Sequence, residues 1–290
     1  HVRGLQIAVD HAAGVGVRQR PEDLIDHGPR DGPGDDPLGQ REVEPLVQRA
    51  AGHGVHHQVR RAVGQRAEVA RLDDRGVPEP LIHPEILSIV GELSGLGFED
   101  IALTTNASQL ARLAKPLFDA GLHRINVSID TLDPARFRDV TRGGVLARVL
   151  AGIDAALEVG FAPIKLNTVV LRGVNDDELE SLLMWAWERR MIPRFLEVMP
   201  IAEGAKLVKE HLVTVVEMRA RLAEHLVPEE ARVDPGLGPA KYVTARRDPS
   251  LRVGFISGTS DTYCDTCDRL RVSSQGTLRP CLATDDGVDR

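Results

Sequence analysis

"RINVSIDTLDPARFRDVTRGGVLARVLAGIDAALEVGFAPIKLNTVV" (residues 124–170) decides the fold. Its two ends, "RINVSID" (124–130) and "PIKLNTVV" (163–170), are short runs rich in β-branched residues, as half-buried or buried strands are. Between them "LARVLAGIDAALEVGF" (146–161) repeats apolar residues at helical spacing and stops near Gly160. Outward from this unit the pattern recurs. "DIALTTN" (100–106) and "PRFLEVMP" (193–200) read as strands. "ILSIVGELSGLG" (86–97), "LARLAKPLFDAGL" (110–122) and "DELESLLMWAWERRM" (177–191) read as helices. Four β units alternating with helices predict a parallel α/β sheet or barrel. "TVVEMRARLAEHL" (214–226) predicts a further helix. After it, "AKYVTARR" (240–247) and "LRVGFIS" (251–257) predict a small β-rich appendage that leads into a cysteine segment.

The start of the chain is a different text. Residues 1–87 contain no Ser, Thr, Asn, Lys, Cys, Met, Phe, Tyr or Trp, types that make up a large share of an ordinary domain. Runs such as "DHGPRDGPGDDPLG" (26–39) lack steady apolar periodicity. A disordered leader would be rich in Ser and Lys. The composition therefore favours a GC-rich stretch translated in the wrong frame or from the wrong strand. Little fixed structure is expected before about residue 80, beyond a marginal helix around residues 55–71, and no site residue is expected there. A start at His1 rather than Met fits a fragment or a partial reading frame.

Bulk properties exclude several classes. A net charge of −7 argues against a general nucleic-acid surface. There is no run of about 20 apolar residues to span a membrane, and no apolar signal segment at the start. Three clustered cysteines in 290 residues suit a reducing cytoplasm.

In parallel barrels and half-barrels the chemistry lies at the carboxyl ends of the strands. Those ends offer Thr104, Thr105 and Asn106, then Ser128 and Asp130, then Lys165 and Asn167, then Arg194, Glu197 and Met199. Residues two apart share a face, so Lys165 with Asn167, and Ser128 with Asp130, point the same way. Thr-Thr-Asn also suits a turn and helix cap, and Met199 suits a core. Asp130 and Glu197 also suit ion pairs with Lys165 or Arg194. A lysine between Ile164 and Leu166 needs an anion or a paired acid to offset its burial.

"YCDTCDRLRVSSQGTLRPC" (263–281) holds Cys264, Cys267 and Cys281, the only cysteines. Iron–sulfur clusters are held by cysteine thiolates, usually four. Three would leave one iron open to a substrate. Arg269, Arg271 and Ser273 alternate, so on a strand they share a face and form a receptor for phosphate. A structural zinc site, with His211, His225 or Asp265 as fourth ligand, is the competing reading of the spacing. A disulfide plus a free thiol is the third.

The order "LTTN", "RINVSID", "IKLNTVV", "RFLEVMP", "YCDTCDRLR" and a final cysteine resembles the GTP 3′,8-cyclase family, from about Glu79 to the end. These are radical S-adenosylmethionine enzymes of molybdenum-cofactor biosynthesis. The resemblance implies an α/β fold: a partial (β/α) TIM-type barrel with a small β-rich Fe-S part at the C-terminus. It implies a lyase reaction on GTP, with a 5′-deoxyadenosyl radical taking hydrogen from the ribose C3′ before C3′ attacks C8. It implies that Cys264, Cys267 and Cys281 hold a C-terminal 4Fe-4S cluster. Thr104, Lys165, Arg269 and Arg271 would bind GTP. Ser128 and Met199 would contact S-adenosylmethionine, with Asn106 close by. A cyclic pyranopterin synthase would act downstream, and a homodimer is the candidate assembly. Another radical enzyme with an auxiliary cluster, such as a peptide modifier, and a non-catalytic zinc or Fe-S module are the alternatives.

The chain departs from the family in three places. The family's second 4Fe-4S cluster, at the N-terminus, needs C-x-x-x-C-x-x-C, and residues 1–263 contain no cysteine. The family's Gly-Gly-Glu-Pro motif survives only as Glu79-Pro80. The family also continues past "CLATDDGVD". The expected organisation is a non-matching segment (1–78), a partial barrel (79–230) and a truncated cluster- and GTP-binding part (231–290), with binding groups present and radical generation missing.

Overall fold

The computed structural model describes residues 5–7, 79–96, 98, 100–201, 204–228, 232–233, 239–264, 271–272 and 278–279. The marginal helix expected around residues 55–71 lies outside them. The elements in order are β1 (Leu5–Ile7), a 3-10 turn (Pro80–Ile82), α1 (Ile86–Gly95), β2 (Ile101–Thr105), α2 (Leu110–Asp119), β3 (Arg124–Ser128), α3 (Pro134–Val140) and α4 (Leu146–Val159). Then come β4 (Lys165–Val170), α5 (Leu179–Glu188), β5 (Ile192–Glu197), α6 (Gly204–His211) and α7 (Val215–Arg221). The short strands β6 (Arg232–Val233), β7 (Lys241–Thr244), β8 (Arg252–Ile256), β9 (Arg271–Val272) and β10 (Leu278–Arg279) follow.

The main sheet runs β1-β2-β3-β4-β5-β8-β7-β6, and β1 to β5 and β8 pair in parallel. This is the partial β/α barrel that the alternation predicts. The β-rich C-terminal part begins as a continuation of this sheet: β8 pairs in parallel with β5, and β7 lies antiparallel on its far side. A second pairing joins β9 to β10.

One face of the sheet is apolar. Ile101, Leu103, Ile125, Val127 and Leu166 are buried against Leu110, Leu113, Leu117, Val149 and Ile153 of α2 and α4. Further along, Val170, Phe195, Val253 and Phe255 pack on Leu182, Leu183, Trp187, Met218 and Leu222. The helices follow from spacing: Leu110, Leu113, Ala114 and Leu117 form the buried stripe of α2. Gly152 lets α4 lie against the β2–α2 turn, because a Cβ there would run into the carbonyl of Ala107.

Of the opening segment, Leu5–Ile7 are described, and they form a strand in parallel register with β2, Leu5 opposite Ile101 and Ile7 opposite Leu103. No helix of the described residues is long and apolar enough to cross a membrane.

Candidate functional site

The other face of the sheet is polar, and register sets it in rungs. Thr104 lies opposite Asn126, and Asn126 opposite Lys165. One rung nearer the carboxyl ends, Ser128 lies opposite Asn167, Asn167 opposite Arg194, Arg194 opposite Gly254, and Gly254 opposite Tyr242. Thr104, Asn126, Lys165 and Arg194 are buried. Arg194 Nη2 donates to Asn126 Oδ1 (2.7 Å), and Asn126 Nδ2 donates to Thr104 Oγ1 (3.3 Å). A hydrogen-bonded line thus joins side chains of β5, β3 and β2, passing over β4. Asn126 belongs to it and was not among the expected residues, although its place in "RINVSID" shares a face with Ser128.

Lys165 is 3% exposed. Desolvation, with Arg194 nearby, holds its ammonium down at about 7. No hydrogen bond or ion pair to Lys165 is found among the described residues. The ion pairs considered from the sequence do not form. Asp130 instead accepts from Val169 N (2.9 Å), and desolvation raises its carboxyl to about 6. Glu197, 1% exposed, accepts from Val215 N (2.8 Å), Thr259 N (3.0 Å), Ser260 N (2.8 Å) and the Ser260 hydroxyl. Asp100, which acts weakly on Lys165, is already held by Arg124 (Nε–Oδ1 2.7 Å). A buried ammonium with no carboxylate partner among the described residues is a candidate place for an anion.

Gly254 is needed here. A Cβ on it would stand 2.9 Å from Arg194 Cγ and 2.9 Å from Tyr242 Cε1. Arg194 and the tyrosine ring meet over the bare glycine. Gly254→Ala is therefore expected to cost about 1–3 kcal/mol by overpacking and to shift the Arg194 guanidinium. Urea unfolding together with phosphate-ligand titration checks it; a neutral result on both would show that the contact is loose.

The remaining expected residues fall into place separately. Asn106 closes a turn: its Oδ1 accepts from Ser108 N (2.9 Å), and its own N–H donates to Glu79 Oε2 (2.7 Å). Glu79 also takes the Thr105 hydroxyl and Leu81 N (3.1 Å). Its carboxyl is raised by burial, against the pull of these donors. The sequence showed Glu79 only as a motif remnant, because its partners at the end of β2 and just after it lie 26 and 27 residues away. Met199 lies against Gly258, where a Cβ would come within 2.6 Å of its Cγ. Met199 and Tyr263 both pack on Ile192, Ala240, Tyr242 and Ile256. The cysteine segment thus leaves the barrel from a docked tyrosine, and Cys264 follows as an exposed, free thiol. Cys267, Cys281 and Arg269 lie outside the described residues, and Arg271 is described only as part of β9, opposite Arg279. Among the described residues no three His, Cys, Asp or Glu side chains gather as a metal site. His225 Nε2 is 2.8 Å from Glu180 Oε1, and His211 Nδ1 is 2.9 Å from the carbonyl of Arg172, so both histidines are engaged elsewhere.

Comparison with known proteins covers the same stretch. The Radical SAM superfamily pattern matches residues 76–186, and the Molybdenum Cofactor Synthesis C pattern matches residues 191–290. The chain is 44% identical over 217 residues to the GTP 3′,8-cyclase of Pseudomonas entomophila (strain L48), covering 73% of this chain and 64% of that protein. It is 43% identical over 212 residues to GTP 3′,8-cyclase 1 of Pseudomonas aeruginosa, with the same two coverages. To the GTP 3′,8-cyclase of Marinobacter nauticus it is 44% identical over 218 residues, again covering 64% of the relative. Among solved structures, Streptococcus suis SuiB bound to precursor peptide SuiA superposes with a TM-score of 0.53 at 14% identity, over 77% of this chain and 53% of that one. That likeness concerns the fold.

Proposed function

We propose, since residues 76–290 belong to the GTP 3′,8-cyclase family of radical SAM proteins, that this chain carries the GTP-binding half of such a cyclase and works in the cytoplasm. The observation that carries the reading is the buried Lys165 on the sheet's polar face, which has no carboxylate partner among the described residues and has the Arg194 guanidinium nearby. A triphosphate supplies the missing negative charge, and a guanidinium fork beside an ammonium suits phosphate oxygens. Thr104 and Asn126 hold Arg194 in line through hydrogen bonds, and Gly254 leaves room for its stem. Arg269 and Arg271 would add two further guanidinium groups for the phosphates. Ser128, Met199 and Asn106 would meet S-adenosylmethionine nearer the mouth.

Cys264, Cys267 and Cys281 would hold a 4Fe-4S cluster. The donor chemistry fits, for these are thiols and Cys264 is free and exposed beside the docked Tyr263. When bound, such a cluster with three protein ligands offers an open iron to the substrate. The radical-generating cluster does not fit these 290 residues, because no cysteine precedes Cys264. The reading therefore divides the chain into a partial barrel (79–230) and a cluster- and GTP-binding part (231–290). It assigns no turnover to this polypeptide.

Anaerobic reconstitution followed by metal analysis tests this. About four irons per chain are expected, with GTP bound and no 5′-deoxyadenosine formed from S-adenosylmethionine and a reductant. About eight irons per chain, stoichiometric zinc, or 5′-deoxyadenosine production would each contradict it. Zinc would favour the non-catalytic metal module.

A further inference from the structure

We infer that the Tyr242 phenol is a further ligand-binding group, one that donates a hydrogen bond to a phosphate oxygen of a nucleoside triphosphate held on the polar face of the sheet. This rests on the proposed binding of GTP beside Lys165. The observation that carries it is a buried hydroxyl. Tyr242 is 6% exposed, and its hydroxyl oxygen is buried with no hydrogen-bond partner. A buried tyrosine hydroxyl ordinarily finds a partner, and one left without costs free energy.

Geometry says where the hydroxyl reaches and what it lacks. Tyr242 lies on β7 opposite Gly254, which in turn lies opposite Arg194. A Cβ on Gly254 would stand 2.9 Å from Cε1 and 3.2 Å from Cδ1 of the ring, and 2.9 Å from Arg194 Cγ. The ring thus leans from β7 across the bare glycine, and its far half, which carries the hydroxyl, lies toward Arg194. The Arg252 guanidinium stands over the same ring, 4.7 Å from its centroid. Arg194 and Arg252 both act on Lys165, so the phenol is set among three cations. Guanidinium and ammonium groups donate hydrogen bonds and accept none, so none of them can receive the hydroxyl proton. What the place lacks is an acceptor, and the surrounding charge selects an anionic one. Phosphate oxygens meet both demands, because they accept from a phenol, a guanidinium and an ammonium together. The carboxylate of S-adenosylmethionine is an acceptor of the same kind, but it brings one negative charge to three cations where a triphosphate brings several.

The test titrates the reconstituted full chain, native and Tyr242→Phe, with GTP, inorganic triphosphate and S-adenosylhomocysteine. The substitution keeps the ring over Gly254 and removes only the oxygen. GTP and inorganic triphosphate are each expected to bind about tenfold more weakly to Tyr242→Phe, with S-adenosylhomocysteine unchanged. Urea unfolding of the ligand-free chains adds a readout that a merely structural hydroxyl would move the other way. The midpoint of Tyr242→Phe should be unchanged or raised, because no hydrogen bond within the chain is lost. Equal affinity of the two chains for GTP would overturn the inference while leaving GTP binding intact, and a lowered midpoint would then give the hydroxyl to the protein's own packing. A loss confined to S-adenosylhomocysteine would give the acceptor to its carboxylate and overturn the choice of phosphate. Failure of the native chain to bind GTP would remove the functional reading, and this inference with it.

Discussion

Glu197→Ala should destabilise the chain by about 3 kcal/mol or more, because its carboxylate accepts from Val215 N, Thr259 N, Ser260 N and the Ser260 hydroxyl in a site where it is 1% exposed. Removing a shared acceptor leaves buried donors unpaired at about 1–3 kcal/mol each before relaxation. The consequence reaches function through the chain. Thr259 and Ser260 stand a few residues before Tyr263 and Cys264, so this carboxylate fixes where the cysteine segment leaves the sheet. The Thr259 hydroxyl also ties back to the carbonyl of Val198 (2.6 Å), which pins the turn to the end of β5. Urea unfolding gives the free energy, and hydrogen exchange at Thr259 and Ser260 locates it. A loss under about 1 kcal/mol with those amides still protected would mean that the turn is held by something else. Glu197→Gln should fall between, since an amide presents one acceptor oxygen and turns an N–H toward the other donors.

Lys165→Met should act in opposite directions on binding and on stability. A buried ammonium whose pKa falls to about 7 is costly to the folded state. The unfolded chain binds its proton up to about pH 10.4. Between pH 7 and that value the unfolded state therefore holds more protons than the folded one, and folding stability rises with pH across the window. Below pH 7 both states are protonated and the penalty is fully present. Lys165→Met should abolish this pH dependence and stabilise the ligand-free chain at pH 6 by roughly 1–3 kcal/mol. The same change should weaken GTP by ~1.5–3 kcal/mol, the worth of a charged hydrogen bond. Bound phosphates would also restore the proton. GTP affinity of the native chain should thus fall as pH rises above about 7, by up to about tenfold per unit, with proton uptake on binding. Affinity independent of pH between 6 and 9 would place the phosphates away from Lys165.

Much of this architecture was legible before any coordinates. The strands at residues 101–105, 124–128 and 165–170 lie inside the runs read from apolar patterning, and the strand at 192–197 begins one residue before its run, because a parallel strand covered by helices must be nearly continuous in apolar residues. Helix α3 escaped that reading. It is short and mostly polar, although Asp133 caps it by accepting from Arg136 N (2.7 Å) and Pro134 opens it, which are start signals in their own right. Helix α6, with Gly204 as its buried residue, gave little apolar signal either. The helix expected over 214–226 ends at Arg221, with Thr214 and Glu217 forming its capping box. The place of β8 was not legible, because whether a strand joins the sheet in parallel or folds away depends on pairing with β5, 60 residues earlier in register. For the site, alternation alone was enough to set Lys165 and Asn167 on one face. It was not enough to pair the acids. Asp130 and Glu197 turn to backbone N–H groups of neighbouring loops, contacts 39 and 18 residues away that no local pattern encodes.

The most direct measurement is a calorimetric titration of GTP into the anaerobically reconstituted 290-residue chain at pH 6.5, repeated with Lys165→Met. One GTP bound per chain, weakened about ten- to hundredfold by the substitution, is the expected outcome. No heat of binding from a chain that carries its iron, or equal affinity in both proteins, would contradict the placement of a nucleotide site on the polar face of this sheet.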